Sequence, residues 1–430
     1  MNTARRKLAG QYARGGRAVV ILSLGVLYCC VTYTGDTMRS DIRKVAAIRS
    51  DVTRRITLED VDPQGRALVM GIGGTPDQTS LMLWNPAKNT FDRRITPDWG
   101  LASGKEWAAS TAPDPNSFKV VDNDGNIVGA LGYYYLAVID AQRGTLRKTL
   151  CSPDLKDPSP PFLNPKTGAW SFVPAVAIAR YRYTGLIAVA FNVGRWPRLF
   201  LLHRGWIAPF ASWRMERFVR DLAWSPDGKT LAVLYSGVFN NDLKDIVPSH
   251  RGEPQSTLPD VALIDVTTGN ARLSFFSGDR QRSIMFSPDG KFIYCATWTQ
   301  MQPSRGWVIR QFSVSDGRIT RTFKIGGLKL KGNLALSPDG RFLVADANST
   351  TWSLGVIKND VYGYDRRFRF VVLDTVTGKI VFEHQERTRD TLLSFPPRFA
   401  FSPDSTLLYV DPNYDTGTPG VDVYSFGQNH

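Results

Sequence analysis

The chain has 430 residues, 43% of them apolar and 11% aromatic, which is the make-up of a globular protein with a large core and excludes wholesale disorder. Lysine and arginine outnumber aspartate and glutamate 53 to 39, a net charge of +14. That excess suits an anionic membrane surface or an acidic partner, while the lack of any helix-turn-helix, zinc-finger or single-strand-binding signature argues against nucleic acid.

The first element is hydrophobic. Residues 18–33 (AVVILSLGVLYCCVTY) carry no charge and follow Arg5, Arg6, Lys7, Arg14 and Arg17, the layout of a signal peptide or signal anchor. Thr34 and Gly35 extend the run to spanning length. No A-x-A cleavage pattern follows, and Tyr28 and Cys29 are poor residues to precede a lipid-modified cysteine. The reading is a basic cytoplasmic N-terminus over 1–17 and a transmembrane signal anchor, a helix, over 18–35, with a cleaved signal or a buried core helix as alternatives. The positive-inside rule places the main domain outside the cytoplasm, periplasmic or at the cell surface. Arg39, Arg43, Lys44, Arg49, Arg54 and Arg55 on the far side pull the other way, and residues 5–8 (RRKL) resemble a twin-arginine signal.

Residues 36–55 form a linker. From 56 onward the chain alternates short apolar runs of period two with turn residues, the pattern of β-hairpins. Residues 56–71, turning at Asp62-Pro-Gln-Gly65, precede a second hairpin at 80–95. Residues 118–131, turning at Asp122-Asn-Asp-Gly125, precede 134–150, and 173–191 precede 198–213. Four clearer repeats come next: 222–228 (LAWSPDG), 284–290 (IMFSPDG), 334–340 (LALSPDG) and 399–405 (FAFSPDS). Each leads into a second apolar run. Ser-Pro-Asp-Gly suits a type I turn, since Pro presets φ, Asp bonds its own backbone and Gly closes the turn. A second hairpin type alternates with these, at 261–269 (VALIDVTTG), 370–378 (FVVLDTVTG), 136–144 (LAVIDAQRG) and 312–317 (FSVSDG).

Two hairpins in succession make a four-stranded unit, and self-similar units of this kind are β-propeller blades. Over residues 218–426 the motifs resemble WD40-like and YVTN-like propellers, in particular the bacterial type with a W/F-S-P-D-G turn. The Gly-His and Trp-Asp dipeptides of true WD40 blades are absent. The resemblance implies an all-β propeller domain, read over 56–430, and the three earlier hairpin pairs added to the four clear repeats count seven blades. The last blade lacks one strand, and residues 45–53 are expected to supply it and close the ring, removing exposed sheet edges.

Catalytic chemistry is not indicated. The turn residues are explained by the turns, and Asp122–Asn126 lacks the later glutamate of an EF-hand. No GxSxG, HExxH, P-loop or dinucleotide fingerprint occurs, so neither a metal nor a cofactor is expected. The four cysteines lack CxxC spacing; Cys295, in an apolar strand pattern, reads as a buried thiol.

The long connections, 96–117, 151–172, 236–259, 298–306, 348–367 and 385–396, join second to third strands or one blade to the next. Both kinds emerge on the same face of a propeller. Trp99, Lys105, Trp107, Arg195, Trp196, Trp298, Arg305, Trp352, Tyr362, Tyr364, Arg366, Arg367 and Arg389 fall on them, and Trp, Tyr and Arg are the usual interface anchors. The expected function is a membrane-anchored, non-catalytic scaffold that binds a protein or an anionic glycan through this face. The alternative is a propeller-class hydrolase or lyase acting on glycans, with carboxylates gathered at the central channel.

Overall fold

The computed structural model describes blade strands and turns between residues 41 and 426; residues 1–40 and the connections 96–117, 152–175, 240–258, 300–305, 352–364 and 389–396 are among those outside that description. The hydrophobic segment at 18–35 therefore lies outside the described residues, and no described helix is long and apolar enough to cross a membrane.

The architecture is an all-β, seven-bladed propeller. A first strand, β1 (Ile42–Ile48), precedes blade 1, which is β2 (Arg55–Val61), β3 (Ala67–Ile72), β4 (Ser80–Asn85) and β5 (Thr90–Ile95). Blade 2 is β6 (Lys119–Val120), β7 (Ile127–Leu131), β8 (Tyr135–Asp140) and β9 (Thr145–Cys151); blade 3 is β10 (Val176–Arg180), β11 (Ile187–Phe191), β12 (Arg198–Leu202) and β13 (Pro209–Arg214). Blade 4 is β14 (Arg217–Trp224), β15 (Thr230–Phe239), β16 (Val261–Asp265) and β17 (Ala271–Phe275); blade 5 is β18 (Arg280–Phe286), β19 (Phe292–Thr299), β20 (Gly306–Ser313) and β21 (Ile319–Lys324). Blade 6 has five strands, β22 (Leu334–Leu336), β23 (Phe342–Asp346), β24 (Ser349–Thr351), β25 (Asp365–Asp374) and β26 (Ile380–Thr388), with β24 and β23 both pairing β25 on one side and β26 on the other. Blade 7 is β27 (Arg398–Phe401), β28 (Leu407–Asp411) and β29 (Val421–Phe426), completed by β1.

The first strand of each blade touches the first strands of its two neighbours, so β2, β6, β10, β14, β18, β22 and β27 ring the central channel. The closing strand is β1, antiparallel to β29 from Ile42↔Phe426 to Ile48↔Val421. It starts three residues before the segment expected from sequence, because the apolar ends Ile42 and Ile48, both buried, set its register rather than Val45, which is exposed.

The Ser-Pro-Asp-Gly hairpins repeat one bonding scheme. In blade 4 the Gly228 amide donates to the Ser225 carbonyl at 2.9 Å, the Ser225 hydroxyl donates to Asp227 Oδ1 at 2.6 Å, and the Lys229 amide donates to the same oxygen at 3.0 Å. The Thr230 amide then closes onto Ser225 Oγ at 2.9 Å. Ser287/Asp289, Ser337/Asp339 and Ser402/Asp404 repeat these contacts. Gly228 sits at φ +69°, a left-handed conformation that a side chain resists. The last repeat places Ser405 there instead, at φ +63°.

Apolar clusters fill the seams between blades. Between blades 3 and 4, small residues (Ala177, Ala179, Ala188, Ala190) meet large ones (Leu222, Trp224, Leu231, Val233). The turns stack around the ring as well: Pro226 lies against Gly290, Pro288 against Gly340 and Pro403 against Gly65, so the same contact recurs across the closure. On the outer strands, Arg93 Nη1 donates to the Ala141 carbonyl of the next blade at 2.7 Å, and Arg321 Nη1 donates to the Thr375 carbonyl at 2.6 Å.

Candidate functional site

Two kinds of carboxylate have to be separated. Those in the turns are held there by local bonds. The Ser225 hydroxyl and Lys229 amide keep the Asp227 carboxyl below the usual range, and the Thr268 and Thr267 amides do the same for Asp265. Each of these two acids is bonded within its own turn.

The second kind lies on the inner strands. Glu59 of β2 is buried and accepts Arg398 Nη1 of blade 7 at 2.8 Å, while the Thr57 hydroxyl donates to the same carboxylate. Lys119 Nζ of blade 2 donates to the Glu59 carbonyl at 3.2 Å. Asp60 accepts the Val120 amide at 3.0 Å and pairs with Arg180 Nε of blade 3 at 3.3 Å. Arg398 also donates to the Leu58 carbonyl and Arg180 to the Val61 carbonyl, so cations from three blades converge on residues 58–61 of one strand. Across the ring, Asp221 of β14 accepts the Ile284 amide of blade 5 and the Leu222 amide, each at 2.9 Å. Burial outweighs these bonds and raises its carboxyl to about 6.

A related cluster joins blades 4 and 5. Asp260, just before β16, accepts the Ser277 amide at 2.6 Å and the Ser277 hydroxyl at 2.9 Å; burial raises it too, to about 6. Arg217 donates to the Pro259 carbonyl and lies over the Tyr235 ring. Cys295 of β19 is a fully buried free thiol, as its sequence pattern indicates, and burial pushes its pKa well up. Among the described residues no group of His, Cys, Asp and Glu is arranged to hold a metal ion.

Where the channel opens on the short-turn face there is a cavity of about 360 Å³. Arg180, Tyr181, Trp224, Phe286, Leu336 and Phe401 are among its walls. The Trp224 indole is committed to the Ala179 carbonyl, and the Tyr181 hydroxyl to the Pro226 carbonyl.

Of the thirteen interface candidates, Trp99, Lys105, Trp107, Arg195, Trp196, Arg305, Trp352, Tyr362, Tyr364 and Arg389 lie outside the described residues, as does the turn at Asp122–Gly125. Trp298, Arg366 and Arg367 are placed on strands, not connections. β19 runs on to Thr299 and pairs Trp298 with Trp307, and β25 starts at Asp365 and pairs Arg366 with Thr350 and Thr388. The reason is pairing: β19–β20 and β24–β25 continue as antiparallel ribbons past the blade body, which shortens the connections 298–306 and 348–367. The charged inner-strand residues Glu59, Asp60, Lys119, Arg180, Asp221 and Arg398 belong to no motif that the sequence displays. The signal available is a charge within five residues of a hairpin turn, inside an otherwise apolar run.

No protein-family model matches the chain, and no curated protein sequence matches it. A propeller shape is shared by many families and does not by itself select one among the WD40-like group.

Proposed function

We propose that the protein is a membrane-anchored, non-catalytic propeller that holds a protein or an anionic glycan on its long-connection face. The observation that carries this reading is the employment of the acids. Asp221, Asp60, Glu59 and Asp260 each accept bonds from a strand or segment they hold in place, and the turn acids are bound by their own turns. An acid engaged in this way fastens blades together instead of transferring protons. The anchor rests on the basic leader and apolar run at 18–35, and the extracytoplasmic side on the positive-inside rule.

Crosslinking of the anchored protein in its native membrane, followed by recovery, tests the reading. One stoichiometric partner, lost when Trp352 and Arg366 are replaced by alanine, is the expected result. Turnover of a glycan library with no partner recovered overturns it. The hydrolase or lyase alternative has one observation in its favour, the Asp221 carboxyl raised to about 6 on a channel strand, the range a general acid needs. Asp221→Asn separates the two: it abolishes turnover in an enzyme and leaves partner recovery intact in a scaffold.

A further inference from the structure

One position recurs just before the short turn of each inner hairpin. The first turn residue donates its amide across the hairpin and accepts the amide of the turn glycine, or of Ser405 in blade 7. Ser225, Ser287, Ser337 and Ser402 do this in blades 4 to 7, Asp62 in blade 1 and Tyr181 in blade 3. The residue before it is therefore equivalent in these six blades, and reads Val61, Arg180, Trp224, Phe286, Leu336 and Phe401 in chain order. Five are apolar. Blade 3 puts an arginine where its neighbours put tryptophan, phenylalanine, leucine or valine.

Arg180, Trp224, Phe286, Leu336 and Phe401 are walls of the cavity of about 360 Å³ on the short-turn face, and Arg180 is the one charged residue among those walls. The other polar side chains there are already engaged. The Ser225, Ser287 and Ser337 hydroxyls donate to Asp227, Asp289 and Asp339, the Trp224 indole to the Ala179 carbonyl and the Tyr181 hydroxyl to the Pro226 carbonyl. Arg180 reaches from blade 3 to blade 1. Its Nη2 donates to the Val61 carbonyl at 3.2 Å, and its Nε stands 3.3 Å from Asp60 Oδ2 without forming a hydrogen bond. Nη1 makes no hydrogen bond to a described residue. Three residues further from the face on β27, Arg398 Nε and Nη2 are also buried without a hydrogen bond. Fastening blade 3 to blade 1 accounts for one edge of the Arg180 guanidinium. It does not account for the donors left over, and a buried donor without an acceptor is costly.

We propose that this cavity binds a small apolar carboxylate, a single ring or a short hydrocarbon chain ended by one acid group, with the carboxylate on Arg180. A guanidinium forms charge-assisted hydrogen bonds with a carboxylate, and they are stronger where water is excluded. The four large apolar residues of blades 4 to 7 cover the remainder of such a ligand, whose size suits a cavity at the lower end of the range for small-molecule sites. A peptide fits less well, because the walls keep no uncommitted side-chain group for its amides except Arg180. The site lies on the face opposite the long connections and does not depend on the scaffold reading.

The test is calorimetric titration of the full chain in detergent, referenced to empty micelles. The probes are phenylpropionate, hexanoate, neutral phenylpropanol, acetate and an acetylated tripeptide acid ending in leucine. Phenylpropionate or hexanoate is expected to bind about tenfold more tightly than phenylpropanol and acetate. Arg180→Met should weaken the acid about tenfold and leave phenylpropanol within about twofold, whereas a collapsed cavity would weaken both. Leu336→Trp, which fills the cavity and leaves Arg180 in place, should weaken the acid about tenfold, and Arg272→Gln on outer strand β17 should change nothing. Retention of the wild-type melting temperature shows that each variant is folded. Equal binding of phenylpropionate and phenylpropanol by the wild type overturns the proposal, as does equal loss of both in Arg180→Met or unchanged affinity in Leu336→Trp. Tighter binding of the tripeptide than of either acid also overturns it, by giving the site to a peptide C-terminus.

Discussion

Two seams of the ring solve the same problem differently. The seam between blades 4 and 5 joins segments that are close in sequence: Asp221 and Ile284 are 63 residues apart. The seam between blades 7 and 1 joins residues from opposite ends of the domain: Asp411 Oδ2 accepts the Leu58 amide at 2.9 Å across 353 positions. The interior seam uses carboxylates held by backbone amides and serine hydroxyls, with Lys119 and Arg217 offsetting their burial only weakly, so both carboxyls are raised. The closing seam adds an ion pair, Arg398 with Glu59, a tyrosine bond from Tyr409 to the Gly65 carbonyl at 2.7 Å, and a whole strand, β1. The contrast teaches that a seam without short covalent continuity needs more specific bonds, because closing a long loop costs entropy that neighbouring segments do not incur.

The largest effect is expected at β1. Deleting residues 41–49 strips the outer edge from blade 7 and removes the Lys44 and Arg49 contacts to Asp422. The expected result is a fall in melting temperature of about 10 °C or more, or loss of soluble protein, measured by circular dichroism. An unchanged transition would show that the ring holds without its closing strand. Next in size is Arg398→Met, which leaves Glu59 buried without its cation and should cost about 3–5 kcal/mol in denaturant unfolding. Adding Glu59→Gln should restore much of the loss. Asp411→Ala orphans the Leu58 amide and should cost about 1–3 kcal/mol, with no effect on the blade 4–5 seam as reported by the protection of Cys295 from thiol reagents.

The smallest effect concerns pH. The Asp221 and Asp260 carboxyls stand near 6 in the folded chain against a reference value of 3.8, so folding favours their protonated forms. Their contribution is fully present below about pH 4 and is lost as pH rises through 6. The melting temperature should therefore rise between pH 7.5 and pH 5 by an amount corresponding to roughly 1 kcal/mol per group, before other titrations are counted. Asp221→Asn and Asp260→Asn should each flatten that slope. A slope that persists in the double variant would assign it elsewhere.

The hairpins are legible in the sequence because their chemistry is local. Ser225, Pro226, Asp227 and Gly228 bond to one another within a few residues, and a four-letter motif contains everything the turn requires. The blade count is legible through strand arithmetic, since a missing strand in the last blade demands one from elsewhere. The seams are not legible. Nothing near Leu58 announces Asp411, and an aspartate inside an apolar run looks the same whether it meets a backbone amide or water. Strand ends are misread at Trp298 and Arg366, where large side chains resemble connection residues while the backbone is still paired.

The antiparallel pairing of β1 with β29 has a mechanical meaning. Ile42 at the start of β1 lies opposite Phe426 at the end of β29. A pull that separates the chain before Ile42 from the chain after Phe426 is delivered first to that terminal pair rather than shared along the strand. The latch that closes the ring would then unzip rung by rung, beginning at Ile42 and reaching Ile48 last. A pull along β1 itself would instead load all its rungs together, so the direction of the force decides whether the ring opens at blade 7.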